Sequence, residues 1–380
     1  MSDNNIVKKV ITYKSGHFAF SLNYDKNKLN DRLIKAKILF TTVAEIPILP
    51  DLASRLEEEL IRKSIFGTAA IEGNPLSQER VNEVLSQEAK SAKKNEAEKQ
   101  IINLKNIYNE IKKTKPLSSP CKLTEETIRE FHKIITDGSS NNDNYPGHYR
   151  NHSVQVGNTE HGGVYTPPKI IEDIKTLMSA FTDWINSPEI MNEDAAIRAA
   201  LAHYYLALIH PFGDGNGRTA RAIEAMLLTC SGIKFVPHML SNFYYRNIDD
   251  YFGAFSLSER NDTYDITPFL EFFLKGVIAS LEEIRATIFS FIRTFTLRDY
   301  YSYLRKKKEI TQRQFDFLTL LLEFAEAFSL KDLFEKDKFR VIYRGVSERT
   351  ARRDLKELEG KRLIAVNDQG NYVLNIKALG

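Results

Sequence analysis

The 380-residue chain has only two cysteines, Cys121 and Cys230. That excludes a disulfide framework, and their spacing fits no metal site, so a reducing, cytoplasmic setting is expected. No run reaches the roughly 18 apolar residues a membrane helix needs, and no membrane association is expected. The richest stretch, residues 199–209, is shorter and carries His203. The residues after Met1 have no apolar core of signal-peptide length. There is no internal repeat, no low-complexity tract, no Walker phosphate loop and no Gly-x-Gly-x-x-Gly following a strand. What is present is ordinary: 42% hydrophobic and 27% charged residues with a formal net charge of +3, the composition of a globular protein with room for two or three domains.

Most of the first 300 residues read as helix. Leu56, Leu60, Ile61 and Ile65 recur at helical spacing until the break at Gly73-Asn74-Pro75. Residues 103–112 and 124–135 repeat the pattern, the second opening on Thr124 as N-cap. Residues 137–147 form a polar loop. Residues 149–156 then alternate, and a glycine-rich turn leads to Val164-Tyr165-Thr166-Pro167-Pro168, the one hairpin signal in the first three quarters of the chain. Helical patterns follow near 170–186, 193–209, 217–231, 247–258 and 266–296. Three domains are expected: 1–115, helical; 116–296, the site-bearing body; and 297–380.

The chemistry concentrates in one run, His210-Pro-Phe-Gly-Asp-Gly-Asn-Gly-Arg-Thr-Ala-Arg221. Three glycines let the backbone of the loop turn its N–H groups toward a ligand, and a helix starts at once, which makes an anion site. Arg218 and Arg221 lie i, i+3 in the first helical turn. Two cations at the positive end of a helix oppose its dipole by ~0.3–1 kcal/mol each, a placement that asks for a polyphosphate. Asp214 offers a hard oxygen beside those phosphates, suited to Mg2+. His210 is the natural general base, since its ordinary pKa lies near neutrality.

This run resembles the signature of Fic domain proteins, with every signature position filled, and the likeness extends over about residues 30–290. The resemblance implies a mainly α-helical Fic-type bundle with a β-hairpin flap. It implies an adenylyltransferase that moves AMP from ATP to a Ser, Thr or Tyr hydroxyl of a target protein. His210 would deprotonate that hydroxyl and Asp214 would hold Mg2+. Gly215, Asn216 and Gly217 would cradle the α- and β-phosphates, and Arg218 and Arg221 the phosphate tail. Attack on the α-phosphorus would release pyrophosphate. The related kinase-like branch often has Lys where this chain has Gly217, which favours nucleotidyl transfer.

Residues 68–74, Thr-Ala-Ala-Ile-Glu-Gly-Asn, resemble the inhibitory element of Fic proteins that carry an N-terminal inhibitory helix. Thr68 and Glu72 share a helix face at i, i+4. Glu72 ends its helix, where a carboxylate is disfavoured until a cation joins it. Arg221 is the partner the resemblance implies. The same Glu72 is also compatible with orienting a water for removal of AMP. The hairpin over residues 153–168 resembles the target-docking flap, able to hold an extended segment by strand addition, with Val156, Gly157 and Asn158 near the nucleotide. Tyr251 resembles the aromatic that lines the base pocket, followed by Phe252 where the family often has a second tyrosine; Asn261 is a weaker candidate.

Residues 297–380 carry 18 Lys/Arg against 13 Asp/Glu, a net of +5. Their helix, helix, hairpin order is that of a winged helix-turn-helix. The second helix is expected from Ser347, with Gly360 as its stop, and carries Arg349, Arg352, Arg353 and Lys356, suited to DNA phosphates. Its acids Glu348, Asp354, Glu357 and Glu359 dilute that reading. A nucleotide-sensing DNA-binding regulator is therefore the alternative from another class, and self-modification and a homodimer stay open.

Overall fold

The computed structural model describes residues 7–86, 95–114, 121–139, 143–158, 163–259, 263–324 and 326–379. Contacts divide the chain into two units, Met1–Ile284 and Arg285–Gly380, and the dividing point falls inside a long helix. Among the described residues no helix is long and apolar enough to cross a membrane.

The first unit opens on a hairpin of β1 (Val7–Ile11) and β2 (His17–Ser21), with Val7 opposite Ser21 and Ile11 opposite His17. The sequence reading did not anticipate it, because Val-Lys-Lys-Val-Ile and His-Phe-Ala-Phe-Ser lack a strict polar/apolar alternation and their turn lacks a two-residue hairpin signature. Helices α1 (Lys26–Glu45), α2 (Pro50–Ile71), α3 (Gln78–Ser86), α4 (Glu96–Lys113) and α5 (Glu125–Ile135) follow. Their starts are chemically marked. Pro50 takes the first position of α2, Asn95 and Glu98 form a capping box on α4, and the Thr124 hydroxyl accepts the Thr127 N–H on α5.

A second hairpin, β3 (Val156–Asn158) with β4 (Gly163–Tyr165), precedes α6 (Ile171–Ile185), α7 (Pro188–Met191), α8 (Ala195–Ile209) and α9 (Asn216–Cys230). The alternation seen from residue 149 becomes strand only at Val156; before it the chain follows contacts of Arg150 instead of a ladder. Helices α8 and α9 are buried nearly all round and form the centre of the unit. Around them pack α2, α4, α5 and α6, with α10 (Leu240–Arg246), α11 (Ile248–Glu259) and the start of α12 (Thr267–Lys306). One close approach fixes α2. A Cβ at Gly67 would lie 2.8 Å from the Asn242 Cα and from the Ser241 carbonyl of α10.

The second unit contains α13 (Gln312–Glu323), α14 (Asp332–Glu335), α15 (Asp337–Tyr343), α16 (Glu348–Gly360) and a hairpin of β5 (Ile364–Val366) with β6 (Tyr372–Leu374). Phe317, Phe328, Phe339, Tyr343, Leu355 and Leu358 make its core. Ser347 caps α16, but Gly360 does not stop it. Gly360 is the last helical residue, and Arg362 takes the left-handed conformation beyond it (φ 58°).

Candidate active site

The loop between α8 and α9 is bracketed by two left-handed residues, His210 (φ 49°) and Gly215 (φ 75°). For glycine this is free; for histidine it costs ~1–2 kcal/mol, so the surroundings must impose it. They do so at several points. The Asn216 side chain accepts the Phe212 N–H and donates to the Phe212 carbonyl, both at 2.9 Å. The Phe212 ring stacks on His132, with centroids 3.7 Å apart. His132 Nε2–H donates to the Asp214 carbonyl at 2.9 Å, and its Nδ1 accepts the Gly147 N–H at 2.9 Å. Burial pushes that ring down to about 4, so it is the neutral form that braces the loop. The Asn144 side chain accepts the Asp214 N–H at 3.1 Å.

Arg150 ties the loop to the flap. It is buried, and burial lowers its pKa to about 10. Its guanidinium donates to the carbonyls of His210 (2.8 Å), His152 (2.5 Å) and Pro168 (2.7 Å), and its backbone N–H to Pro211 at 2.9 Å. The loop after α8 and both ends of the hairpin segment thus share one side chain.

His210 Nδ1 lies 3.2 Å from the Ala207 carbonyl. A carbonyl only accepts, so Nδ1 carries the proton and Nε2 keeps its lone pair. Burial, offset in part by that contact, holds the ring at about 4, and it is unprotonated at neutral pH. Asp214 Oδ1 accepts the Gly215 N–H (2.6 Å) and an Arg218 N–H (2.8 Å). One carboxylate beside an anion site suits Mg2+ held by a single protein oxygen, phosphates and water. No cluster of three or more His, Cys, Asp or Glu exists among the described residues to form a closed protein cage.

Arg221 is engaged from α2. Its Nε–H donates to the Thr68 hydroxyl (2.7 Å), and its NH2 group to Glu72 Oε1 (2.6 Å) and the Thr68 carbonyl (3.3 Å). Burial opposes the Glu72 charge, but Arg221 and then Arg218 outweigh it and hold the carboxyl below its ordinary range. Glu72 raises the pKa of Arg221 in return, against burial. The carboxylate rests on Gly217, where a Cβ would overlap Glu72 Oε1.

These groups converge on a cavity of about 320 Å3. Of the residues singled out in the sequence, it is lined by Glu72, Val156, Gly157, His210, Gly217, Arg221 and Tyr251, with Phe252 beside them. Asp214 and Arg218 line a separate cleft of about 10 Å3 beside Thr136 and Asn103. Gly215 and Asn216 complete the loop between the two, the Asn216 side chain being committed to Phe212. Thr68 sits behind Arg221. Tyr251 is only 3% exposed, stacks on Tyr244 at 4.9 Å and turns its hydroxyl toward Arg221 at 3.4 Å. Asn261 lies outside the described residues.

With the geometry in view, residues 122–228 match the Fic/DOC family. They are a Fic domain. The protein adenylyltransferase fic-1 of Caenorhabditis elegans is 26% identical over 229 residues, 60% of this chain and 42% of its own. The protein adenylyltransferase Fic of Nematostella vectensis is 30% identical over 224 residues, 57% of this chain and 47% of its own. The chain therefore spans less than half the length of these curated relatives. A Fic family protein from Desulfovibrio desulfuricans G20 superposes with a TM-score of 0.57 at 19% identity, covering 91% of this chain and 95% of that one. The fold is mainly helical, of Fic type, as the sequence led us to expect.

The Fic domain also uses residues that sequence reasoning passed over. His132 had a signal: it shares the apolar stripe of α5 with Ile128 and Ile135, where a polar side chain must find buried partners. Asn144 sits in the polar loop and Arg150 in the segment that alternates after it, and neither had one. His203 and Glu224 lie in apolar helices, and their pairing emerges only when α8 packs on α9.

Proposed function

We propose that this protein transfers AMP from ATP to a hydroxyl side chain of a target protein, and that Glu72 restrains the reaction. The observation that carries the reading is the meeting, in one cavity, of a neutral His210 with a free Nε2, the N-terminus of α9, Arg221 and the flap strand. In this reading the α9 amides from Gly215 to Gly217 face the α- and β-phosphates, and Arg221 and Arg218 meet the tail. Mg2+, held by Asp214, neutralises phosphate charge when bound. A target segment pairs with the flap edge and presents its hydroxyl to His210 Nε2, which takes the proton as the oxygen attacks the α-phosphorus and pyrophosphate leaves. Glu72 occupies Arg221 and so denies the tail its anchor.

The test is incubation of Glu72→Gly protein with α-labelled ATP, with and without His210→Ala, followed by mass measurement. We expect an AMP adduct on a target or on the protein itself that depends on His210. A different mass gain, or labelling without His210, overturns the reading.

The Glu72 carboxylate is 29% exposed and lines the cavity with His210, which supports a second reading, removal of AMP from a modified protein. Loss of label from a pre-modified target on adding the parent chain, and not Glu72→Gln, distinguishes it. For the second unit we propose nucleic-acid contact through α16, whose Arg349, Arg352, Arg353 and Lys356 are exposed. Arg352 and Arg353 are already paired with Glu348 and Glu357, which weakens that reading. A mobility shift that falls with salt checks it.

A further inference from the structure

His203 and Glu224 have no part in the AMP-transfer reading, yet both are titratable and wholly buried, at 0% and 1% exposure. Such groups are uncommon in a helical core unless paired. They are paired in a line that leads to the active site. His203 Nδ1 lies 2.5 Å from Glu224 Oε2, and its Nε2 lies 2.8 Å from the Tyr251 hydroxyl. The Tyr251 oxygen is 3.4 Å from Arg221 NH1. At the far end, the Tyr244 hydroxyl donates to the same Glu224 oxygen at 2.9 Å.

One proton assignment gives every hydrogen an acceptor. Arg221 only donates, so the Tyr251 oxygen accepts from it. The Glu224 carboxylate accepts, so His203 Nδ1–H donates to it. The remaining Tyr251 O–H then points at His203 Nε2, and His203 is neutral. A protonated His203 would leave the Tyr251 hydrogen with no acceptor along this line.

The order matters because of where the other Arg221 contacts originate. Thr68 lies in α2 and Glu72 caps its C-terminal end, so a shift of that helix removes them together and leaves Tyr251 as the side-chain acceptor in this set. An unsupported tyrosine hydroxyl is free to rotate, and its lone pair is held toward the cation by the cation alone. His203 prevents that rotation, Glu224 fixes the His203 ring, and Tyr244 fixes Glu224.

We propose that Glu224, His203 and Tyr251 form a relay that holds the Arg221 guanidinium for the nucleotide's phosphate tail when α2 lets go. His203 and Glu224 are positioning residues acting through Tyr251. The inference rests on the AMP-transfer reading, in which Arg221 meets the β- and γ-phosphates.

The experiment uses the full chain carrying Glu72→Gly and compares the affinities of ATP and AMP, which lacks the tail, by calorimetry. Tyr251→Phe, which removes one oxygen and leaves the ring, is expected to weaken ATP roughly three- to tenfold and AMP less than about twofold. His203→Gln is expected to do the same, and the double variant no more than either alone, because the two act in series. Glu224→Gln, which keeps an acceptor for His203, recovers most of what Glu224→Met loses. A second readout needs no nucleotide: the imidazole 15N spectrum of the parent chain shows His203 protonated at Nδ1, with Nε2 shifting on Tyr251→Phe. Equal losses for ATP and AMP, additive losses, or a proton on His203 Nε2 overturn the relay. Failure of His210-dependent labelling with the relay intact instead sinks the AMP-transfer reading, and the imidazole spectrum then decides the relay by itself.

Discussion

Two arginines one turn apart on α9 are held in contrasting ways. Arg218 and Arg221 are similarly buried, at 5% and 2% exposure, and each meets a carboxylate of similar exposure, Asp214 at 2.8 Å and Glu72 at 2.6 Å. The difference lies in where the carboxylate comes from. Asp214 is four residues from Arg218, on a loop pinned by Asn216, His132 and Asn144, and it cannot leave without dismantling the loop. Glu72 arrives from α2, a separate helix, and can leave while the loop stays intact. A pair built from one local segment is architecture, whereas a pair built across the chain is an equilibrium.

Breaking the local pair should give the largest effect. In a Glu72→Gly background, Asp214→Ala is expected to lower labelling by about 100-fold or more, since it removes the carboxylate that would hold Mg2+ against the phosphate charge; a loss under about fivefold would erase the distinction. Breaking the long-range pair should act in the opposite direction. Glu72→Gly is expected to raise labelling about 10- to 100-fold over the parent chain, measured as initial rate at fixed α-labelled ATP. A subtler probe leaves both carboxylates in place. Gly67→Ala pushes α2 off the α10 backbone and should raise labelling a few-fold while lowering the melting temperature, with Asp214-dependent chemistry unchanged. A lowered melting temperature without added labelling would mean that α2 is not the element that moves.

Acidity gives the smallest change. The folded pKa of Glu72 lies below its ordinary value, so the proposed restraint would be present above the usual carboxylate range and lost only as pH falls through that lowered value. His210 takes a proton at about 4. Between about pH 5.5 and 8 the ratio of Glu72→Gly to parent labelling should therefore stay constant, with no inflection near the ~6.5 of an ordinary histidine. An inflection there in the Glu72→Gly rate itself, and not in the ratio, would assign the base to another group.

The loop at 210–221 was legible because its chemistry is contiguous: glycines, base, carboxylate and arginines fall within one turn, loop and turn. Glu72 was singled out by the resemblance of residues 68–74 to an inhibitory element, which also implied Arg221 as its partner. The helix starts at Thr124 and Ser347 were legible because capping is local. What stayed hidden depends on distance along the chain. His132, Asn144 and Arg150 support the loop from 60 or more residues away; the neighbourhoods of Asn144 and Arg150 announce nothing, and the apolar stripe around His132 names no partner. Tyr251 could be placed at the site, but the aim of its hydroxyl depends on His203 and Arg221, from two other helices. The first hairpin escaped because Val-Lys-Lys-Val-Ile, with its two lysines adjacent, breaks the alternation that marks a half-buried strand.

Gly217 gives the restraint a character that charge alone would not. The Glu72 carboxylate fits only because no side chain stands there, on the first turn of the helix whose amides would meet phosphate. In the proposed function, occupant and ligand would compete for the same volume as well as for the same cation. Mutual exclusion by volume is indifferent to ionic strength, whereas attraction between exposed charges fades with it. The balance between the two states should therefore hold across salt concentrations that would dissolve a surface ion pair, and a single methyl group at position 217 should be enough to upset it.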